Sequence, residues 1–206
     1  MAQNLCEKLL AGCISVSCEN PIFEGAEAGA YIFNKSQIAS MTYDQTNPNV
    51  ITAITMATHE VGSDDVAYTG FTITQLGKTP YTGTNTALVE GDIMNTFTET
   101  VTFSVQDNSP AASMLLDNMA NGKFVVVMEN QYDGSDTRGK FQAYGVKKGL
   151  VVTAMERQLY DDTQNGGWSV TMTAEKTPNS ALFVEHKTGT DVDTKSYLDS
   201  LVDCGA

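Results

Sequence analysis

Residues 93–105 of this 206-residue chain read IMNTFTETVTFSV, and their alternation decides the fold class. One side of the segment is apolar and the other carries hydroxyl groups: Phe97, Val101, Phe103 and Val105 against Thr96, Thr98, Thr100, Thr102 and Ser104. This period of two is typical of a β-strand with one buried face. At about 3.3 Å per residue the segment would extend roughly 43 Å, about twice the usual strand length. Strands this long are typical of barrels or of sheets shared between subunits.

Short apolar segments on both sides of this strand, separated by turn residues, predict a mainly β, antiparallel protein. The predicted strands are residues 30–33, 38–43, 50–56, 66–76 (interrupted by Gly70), 123–129, 140–146, 150–160, 168–176 and the short piece 182–184. Asn165-Gly166 is a strong hairpin signal. Residues 77–91, rich in Gly and Thr, predict a long loop or an extended hairpin.

One helix is predicted in the middle of the chain. Ser109 is a favourable N-cap, Pro110 suits the first helical position, and Gly122 is a stop signal, so the helix should cover residues 110–121. Shorter helices are predicted over residues 4–11 and 193–202. We therefore divide the chain into an N-terminal arm (1–29), a β domain (30–185) and a C-terminal tail (186–206).

The charge balance excludes several classes of protein. The chain has 25 acidic and 12 basic residues, a formal net charge of −13. So few basic residues leave no basic surface that could neutralise a run of phosphates, which argues against tight DNA or RNA binding.

The apolar runs of the sequence are far too short for a transmembrane helix, so no membrane association is expected.

The residues that usually carry chemistry are few and scattered. The two histidines, His59 and His186, stand in polar surroundings without a nucleophile motif, and the four cysteines form no CxxC pair. Acidic pairs such as Asp64-Asp65 and Asp161-Asp162 are typical of solvated turns, because Asp favours turn backbone. We predict no enzymatic activity, no catalytic residue, no metal site and no cofactor.

Threonine is the remaining signal, because it concentrates on single faces of long strands. Such a polar, β-branched face suits water or a neighbouring chain better than a core. It is therefore either an ordinary solvated sheet face or the wall of an aqueous channel.

The order of elements and several segments resemble the major tail tube proteins of tailed bacteriophages, most closely those of phages infecting Bacteroides-type gut bacteria. The resemblance covers residues 30–185 and rests on GKFQAYG at 139–145, KGL at 148–150 and NGGW at 165–168 leading into VTMTAEK at 170–176. It implies a β-sandwich or barrel protomer with one flanking helix. Such protomers assemble into stacked, usually hexameric rings that form the tube through which the genome leaves the capsid.

Under this hypothesis two sets of residues acquire roles. The candidates for the lumen are Thr98, Thr100, Thr102, Thr171, Thr173 and Glu175, although a one-residue slip of register would exchange the two faces. The candidates for contacts between rings are Leu5, Leu9, Tyr81 and Leu88. Negative charge on each copy would repel DNA phosphates from the wall, so that DNA passes without specific binding.

The resemblance also implies partners and a location: other copies of the chain, then a tail terminator, a tape measure and a baseplate, in a virion tail assembled in the host cytoplasm. Two alternatives stay open. One is another virion β-protein, such as a head decoration or neck component. The other is a carbohydrate-binding β-sandwich that uses Trp168, although a tryptophan at the start of a strand after a turn favours a buried anchor.

Overall fold

A computed structural model describes residues 26–73, 81–107, 109–130, 139–157, 166–189 and 191–202. These residues confirm the prediction of a mainly β protein, and they contain two α-helices. The strands are β1 (Ala26–Asn34), β2 (Ile38–Tyr43), β3 (Val50–Met56), β4 (Thr58–Val61), β5 (Asp64–Ala67), β6 (Phe71–Thr72), β7 (Tyr81–Val89), β8 (Thr96–Val105), β9 (Phe124–Asn130), β10 (Phe141–Tyr144), β11 (Val151–Arg157), β12 (Trp168–Thr177), β13 (Leu182–Val184), β14 (Lys187–Thr188) and β15 (Asp191–Val192). The helices are α1 (Pro110–Met119) and α2 (Thr194–Ser200), and one turn of 3-10 helix covers Lys35–Gln37.

The larger sheet is strongly curved. Its strands follow the order β2-β3-β13-β10-β9-β1-β6, so β1 and β2 lie five places apart although only Lys35–Gln37 joins them. In a flat sheet five strand spacings of about 4.8 Å would span roughly 24 Å, whereas a three-residue link reaches only about 14 Å. The sheet therefore curls until β2 comes back toward the end of β1.

Strand β9 lies inside this sheet and is buried on both faces. Phe124, Val126 and Met128 belong to one apolar core, and Val125 and Val127 belong to a second core on the opposite side. A strand covered on both faces reads as a continuous apolar run instead of an alternating one. This explains why residues 124–128 are all apolar.

The first core lies between the two main sheets. The smaller sheet has the order β11-β12-β8-β7, and its inward side chains meet the convex side of the larger sheet. Helix α1 completes this core with Leu116 and Met119, each 2% exposed. The buried side chains contributed by the smaller sheet are Tyr81, Val101, Phe103, Val170, Met172 and Ala174.

The second core fills the concave side of the curved sheet. Strands β1, β3, β9, β10 and β13 contribute to it, and α2 closes it with Leu198, which is fully buried. Tyr197 of α2 fastens the helix to β3, because its hydroxyl donates to the carbonyl of Ile54 and accepts from the Ile54 N–H, both at 2.7 Å. Part of the predicted C-terminal tail is thus an integral piece of the fold.

The predicted long strand at residues 93–105 is present as β8, with the expected alternation from Thr98 to Phe103, whereas Ser104 is buried. Residues 93–95 instead belong to the connection from β7, which pairs with β8 from Tyr81↔Phe103 to Val89↔Thr96. Of the two predictions for residues 77–91, the extended hairpin is therefore the one found in the described part, residues 81–91. Residues 74–80 lie outside the described ranges.

The strand predicted over residues 66–76 with an interruption at Gly70 is found as two strands with different partners, and residues 74–76 lie outside the described ranges. The chain forms β5, breaks, and then forms β6, which pairs with β1. Gly70 lies in this break, and a larger residue would not fit there, because a Cβ on it would lie 2.5 Å from the ring of Phe33. Its N–H donates to the carbonyl of Leu201 at 2.9 Å instead of continuing a ladder.

The predicted central helix is confirmed as α1. The Ser109 hydroxyl accepts a hydrogen bond from the Ala112 N–H at 3.1 Å, and Pro110 stands at the start. The exposed apolar residues of this helix are Met114 and Leu115. A proline-initiated helix of ten residues therefore buries only a narrow stripe.

Of the two expected architectures, a β-sandwich or a barrel, the barrel is not found in the described residues, in which neither main sheet returns to its first strand. The predicted arm of residues 1–29 lies outside them except for the start of β1, and so does the predicted helix over 4–11. None of the described helices combines the length and the hydropathy needed to cross a bilayer.

Gly145 provides a test of how β9 is held. Its φ is +77°, and a Cβ there would lie 2.6 Å from the Phe124 carbonyl oxygen and 2.8 Å from the Leu150 N. We expect Gly145→Ala to lower the free energy of unfolding by about 2 kcal/mol or more, since the left-handed backbone alone costs about 1–2 kcal/mol. Urea denaturation followed by circular dichroism measures it. Gly83→Ala is the control, because a Cβ at Gly83 meets nothing within 4 Å; equal losses in both variants would contradict the prediction.

Candidate functional site: a threonine face between two open edges

The outer face of the smaller sheet carries the threonines singled out in the sequence. Thr100 pairs with Thr173, and Thr102 pairs with Thr171, across β8 and β12. Their neighbours in each strand, such as Val101 and Met172, are fully buried in the first core. Five of the six predicted lumen residues, Thr98, Thr100, Thr102, Thr171 and Thr173, therefore lie together on the face that turns away from the core.

Hydroxyl groups on this face contact one another across the strands. The Oγ1 atoms of Thr102 and Thr171 are 3.4 Å apart, and those of Thr153 and Thr173 are 3.2 Å apart. Thr153 sits at a bulge of β11 and also donates to the carbonyl of Thr171 at 3.3 Å. The result is a polar surface made of short side chains. We call it the threonine face, comprising Thr98, Thr100, Thr102, Thr153, Thr171 and Thr173.

Glu175, the sixth predicted residue, lies at an irregularity of the same strand. The pairing of β12 with β8 shifts between Ala174 and Thr177, and Glu175 stands exposed in that shift. Glu156 of β11 is also exposed, beside Ser169. Acidic side chains thus stand toward both ends of the threonine face.

Both edges of the smaller sheet are open in the described residues. Strand β11 pairs with β12 alone, and β7 pairs with β8 alone. An open edge presents unpaired N–H and C=O groups that favour pairing with another chain. In the described part of the chain, one face and both edges of this sheet are therefore left without a partner strand.

The connection from β7 to β8 forms an apolar tip. Leu88 is 60% exposed and Ile93 is completely exposed, and Val89 and Met94 beside them are also exposed. Tyr81, at the other end of β7, is buried, and its hydroxyl donates to the carbonyl of Ala30 at 3.4 Å. Of the predicted contacts between rings, Leu88 is on the surface and Tyr81 is a core residue; Leu5 and Leu9 lie outside the described residues.

Glu99 is a buried carboxylate that the sequence analysis did not single out. It stands on the core side of β8, between Phe97 and Val101, and is 4% exposed. The Gly145 N–H donates to its Oε2 at 2.6 Å. Burial raises the pKa of the Glu99 carboxyl, and the Gly145 hydrogen bond opposes that rise. A charged residue at an apolar position of the alternation was the signal that could have revealed it.

The histidines are held by aromatic rings. His59 stacks on Tyr68 with ring centroids 4.3 Å apart, and His186 stacks on Tyr197 at 3.9 Å. The Nδ1 of His186 lies 2.9 Å from the Thr52 carbonyl oxygen. No group of three His, Cys, Asp or Glu side chains in the described part of the chain is arranged to hold a metal ion.

A polar cavity of about 450 Å³ lies beside His186, between the start of β3 and the end of β13. Its lining includes Glu185 and Lys187, whose side chains form an ion pair at 2.6 Å.

Trp168 is half-buried against the first core, with the Arg157 guanidinium 5.8 Å from its ring. No aromatic side chain is among the exposed large apolar residues of the described ranges, so the exposed aromatic row expected of a sugar-binding face is not found there.

Comparison of the chain with known protein families, with curated protein sequences and with solved structures finds no match.

The buried position of Glu99 makes stability depend on pH. Because folding raises its pKa, the contribution of this group is complete below the ordinary carboxyl pKa and is lost as the pH rises through the folded value. We expect Glu99→Gln to become progressively more stable than the wild type as the pH rises from 4 to 8, since Gln keeps an acceptor for the Gly145 N–H without the charge. Urea denaturation at several pH values measures the difference. The matched control is Glu156→Gln, an exposed carboxylate in the same sheet; the same response in both variants would contradict the prediction.

Proposed function

We propose that this protein is the structural subunit of a bacteriophage tail tube, which assembles into stacked rings and forms a conduit for DNA. The observation that supports this most directly is the smaller sheet, whose threonine face turns away from the core and whose two edges are open in the described ranges. A sheet with this combination is completed by copies of itself, because edge β11 of one copy can pair with edge β7 of the next. The role is structural and not enzymatic, and it needs no cofactor.

The dimensions of such a ring suit a DNA conduit. Six copies, the usual number in the family that the sequence resembles, would contribute four strands each to one cylinder. At about 4.8 Å per strand, 24 strands give a circumference of roughly 115 Å and a diameter of about 37 Å before strand tilt widens it. After a layer of threonine side chains is subtracted, the opening is still wide enough for a DNA double helix.

The chemistry of the wall also suits a conduit. Threonine is short and uncharged, so the threonine face offers no cation to hold a phosphate. Glu156 and Glu175, and the net charge of −13 per copy, repel the DNA backbone when multiplied around a ring. DNA would therefore move along the wall without specific binding.

The apolar tip between β7 and β8 supplies a contact along the tube axis. Exposed apolar residues at the end of a hairpin favour insertion into a neighbouring surface, and Leu88, Ile93 and Met94 are all exposed in this segment. We place contacts between rings at this tip. Tail terminator, tape measure and baseplate proteins would then be the partners at the ends and inside the tube, in a virion tail assembled in the host cytoplasm.

Negative-stain electron microscopy of the purified protein tests the proposal. Wild-type protein is expected to form hollow rings or tubes, and Leu88→Asp to abolish stacking while leaving the subunit folded, since Leu88 is 60% exposed. Met114→Asp on helix α1 is the matched control, because Met114 is 64% exposed and lies on a different element. A wild-type protein that stays monomeric at high concentration would contradict the proposed function. Normal tubes from Leu88→Asp would contradict the assignment of the apolar tip to contacts between rings.

Cysteine labelling tests which face lines the tube. In a background with Cys6, Cys13, Cys18 and Cys204 changed to Ser, Thr171→Cys should react with a bulky maleimide in dissociated subunits and be protected in tubes. Met114→Cys should react in both states. Labelling of Thr171→Cys at the same rate in tubes and in subunits would place the threonine face outside the lumen.

A further inference from the structure

Four lysines gather at one end of the β structure, and we call them the lysine patch: Lys35, Lys123, Lys147 and Lys148. They come from three separate segments: the turn after β1, the start of β9 and the turn between β10 and β11. They are a third of the 12 basic residues in a chain with a net charge of −13. Such a concentration of positive charge is unexpected in an acidic protein.

The backbone brings the lysine patch together. The Lys35 N–H donates to the Lys123 carbonyl at 2.8 Å. Gly149 separates the two side chains, because a Cβ there would lie 2.9 Å from the Cβ of Lys123 and 3.0 Å from the Cδ of Lys35. Its φ of +82° permits the tight turn that carries Lys147 and Lys148. The cluster is thus built into the fold.

The lysine patch has no anionic counterpart in the described part of the chain. The Nζ of Lys35 donates to the carbonyl of Val146, and the Nζ of Lys147 lies 4.6 Å from the ring centre of Tyr43. None of the four ammonium groups makes an ion pair within 4.0 Å there; the recorded lysine pairs use Lys140, Lys187 and Lys195. Burial, and then the charges of Lys147 and Lys123, lower the pKa of Lys35. A nearby anion would relieve this repulsion.

A separate hairpin of the same chain carries the opposite charge. Strands β4 and β5 form a two-stranded sheet that pairs with no other strand in the described residues, and we call residues 58–67 the acidic ribbon. The acidic ribbon contains Glu60, Asp64 and Asp65 and no Lys or Arg. All of its side chains except His59 are exposed, including Val61 at 54% and Val66 at 43%.

The acidic ribbon also has exposed apolar and acidic side chains that a second molecule could cover. An isolated two-stranded ribbon is marginally stable in water, and its exposed valines gain from being covered. Within the described residues, Glu60, Asp64 and Asp65 form no ion pair. Other carboxylates of the chain do pair with lysines, namely Glu129, Glu185 and Asp199. The acidic ribbon and the lysine patch thus carry opposite charges that form no ion pair with each other within 4.0 Å in the described residues, so a second copy can supply the partner of each.

We propose that the lysine patch of one copy binds the acidic ribbon of a second copy. The inference rests on the self-association put forward under Proposed function and names a contact within it. Each exposed ion pair contributes little alone, but the contact repeats around every ring, so the combined effect is multivalent. It also makes assembly weaken as salt is added, because exposed charges are screened.

Zero-length carboxyl–amine cross-linking of a mixture of ¹⁴N- and ¹⁵N-labelled protein tests the contact directly. We expect mixed-isotope cross-links that join Lys147 or Lys148 to Glu60, Asp64 or Asp65. Links of single isotope type only, or mixed links from the lysine patch to Glu90 and Asp92 at the apolar tip, would overturn the assignment. Mixed links to the acidic ribbon in a protein that never forms rings would support this contact and contradict the tail-tube proposal. Rings that form without such links would support the tail-tube proposal and contradict this contact.

Charge reversal provides the second test. Lys147→Glu with Lys148→Glu, and separately Asp64→Lys with Asp65→Lys, should each reduce assembly in light scattering while leaving the thermal unfolding of the subunit intact. The chain that carries all four changes should recover assembly, because the charges are exchanged and remain complementary. Lys195→Glu is the control, since Lys195 is exposed but pairs with Asp199 in its own helix. Full assembly of either double variant, or no recovery in the fourfold variant, would overturn the inference.

Discussion

The burial of β9 on both faces is the constraint on which the rest of the structure depends. Both cores use this strand, Phe124, Val126 and Met128 in one and Val125 and Val127 in the other. An alternating strand fixes its own register, because a slip of one residue turns its apolar face to water. In a strand that is apolar on both sides, a slip of one residue exposes no apolar face, so the hydrophobic pattern does not fix the register. Its register must be set from the ends.

Polar contacts at the two ends of β9 supply that register. Near one end, Phe124 exchanges two backbone hydrogen bonds with Leu150, at 2.9 and 2.8 Å. Near the other, Glu129 is buried and pairs with Lys140 at 2.9 Å. Between these points the strand can be uniformly hydrophobic. The curved sheet, the second core and the docking of α2 all follow from its fixed position.

The sequence was most informative where one face of an element meets water. The alternation of residues 96–105 predicted the orientation of β8, and Ser109-Pro110 predicted the start of α1, because both signals are local. The interruption at Gly70 was predicted, but the change of partner strand after it was not, because the pairing of β6 with β1 joins segments that are distant in sequence. The curvature of the larger sheet was equally invisible, since it follows from which strands become neighbours. For the candidate site, the threonine positions were predictable from periodicity, but the open edges and the lysine patch depend on long-range pairing.

The parallel pairing of β13 with β3 has a consequence for how the chain folds. Val50 and Phe183 are neighbours in the sheet although most of the chain separates them, and α2, later still, supplies Leu198 to the second core. Contacts of such long range slow folding, because a large loop must close before they form. During synthesis on the ribosome, β1, β2 and β3 emerge before the strand and the helix that cover them. The concave sheet is completed only by these late segments, so its core stays unfilled until β13 and α2 have been made.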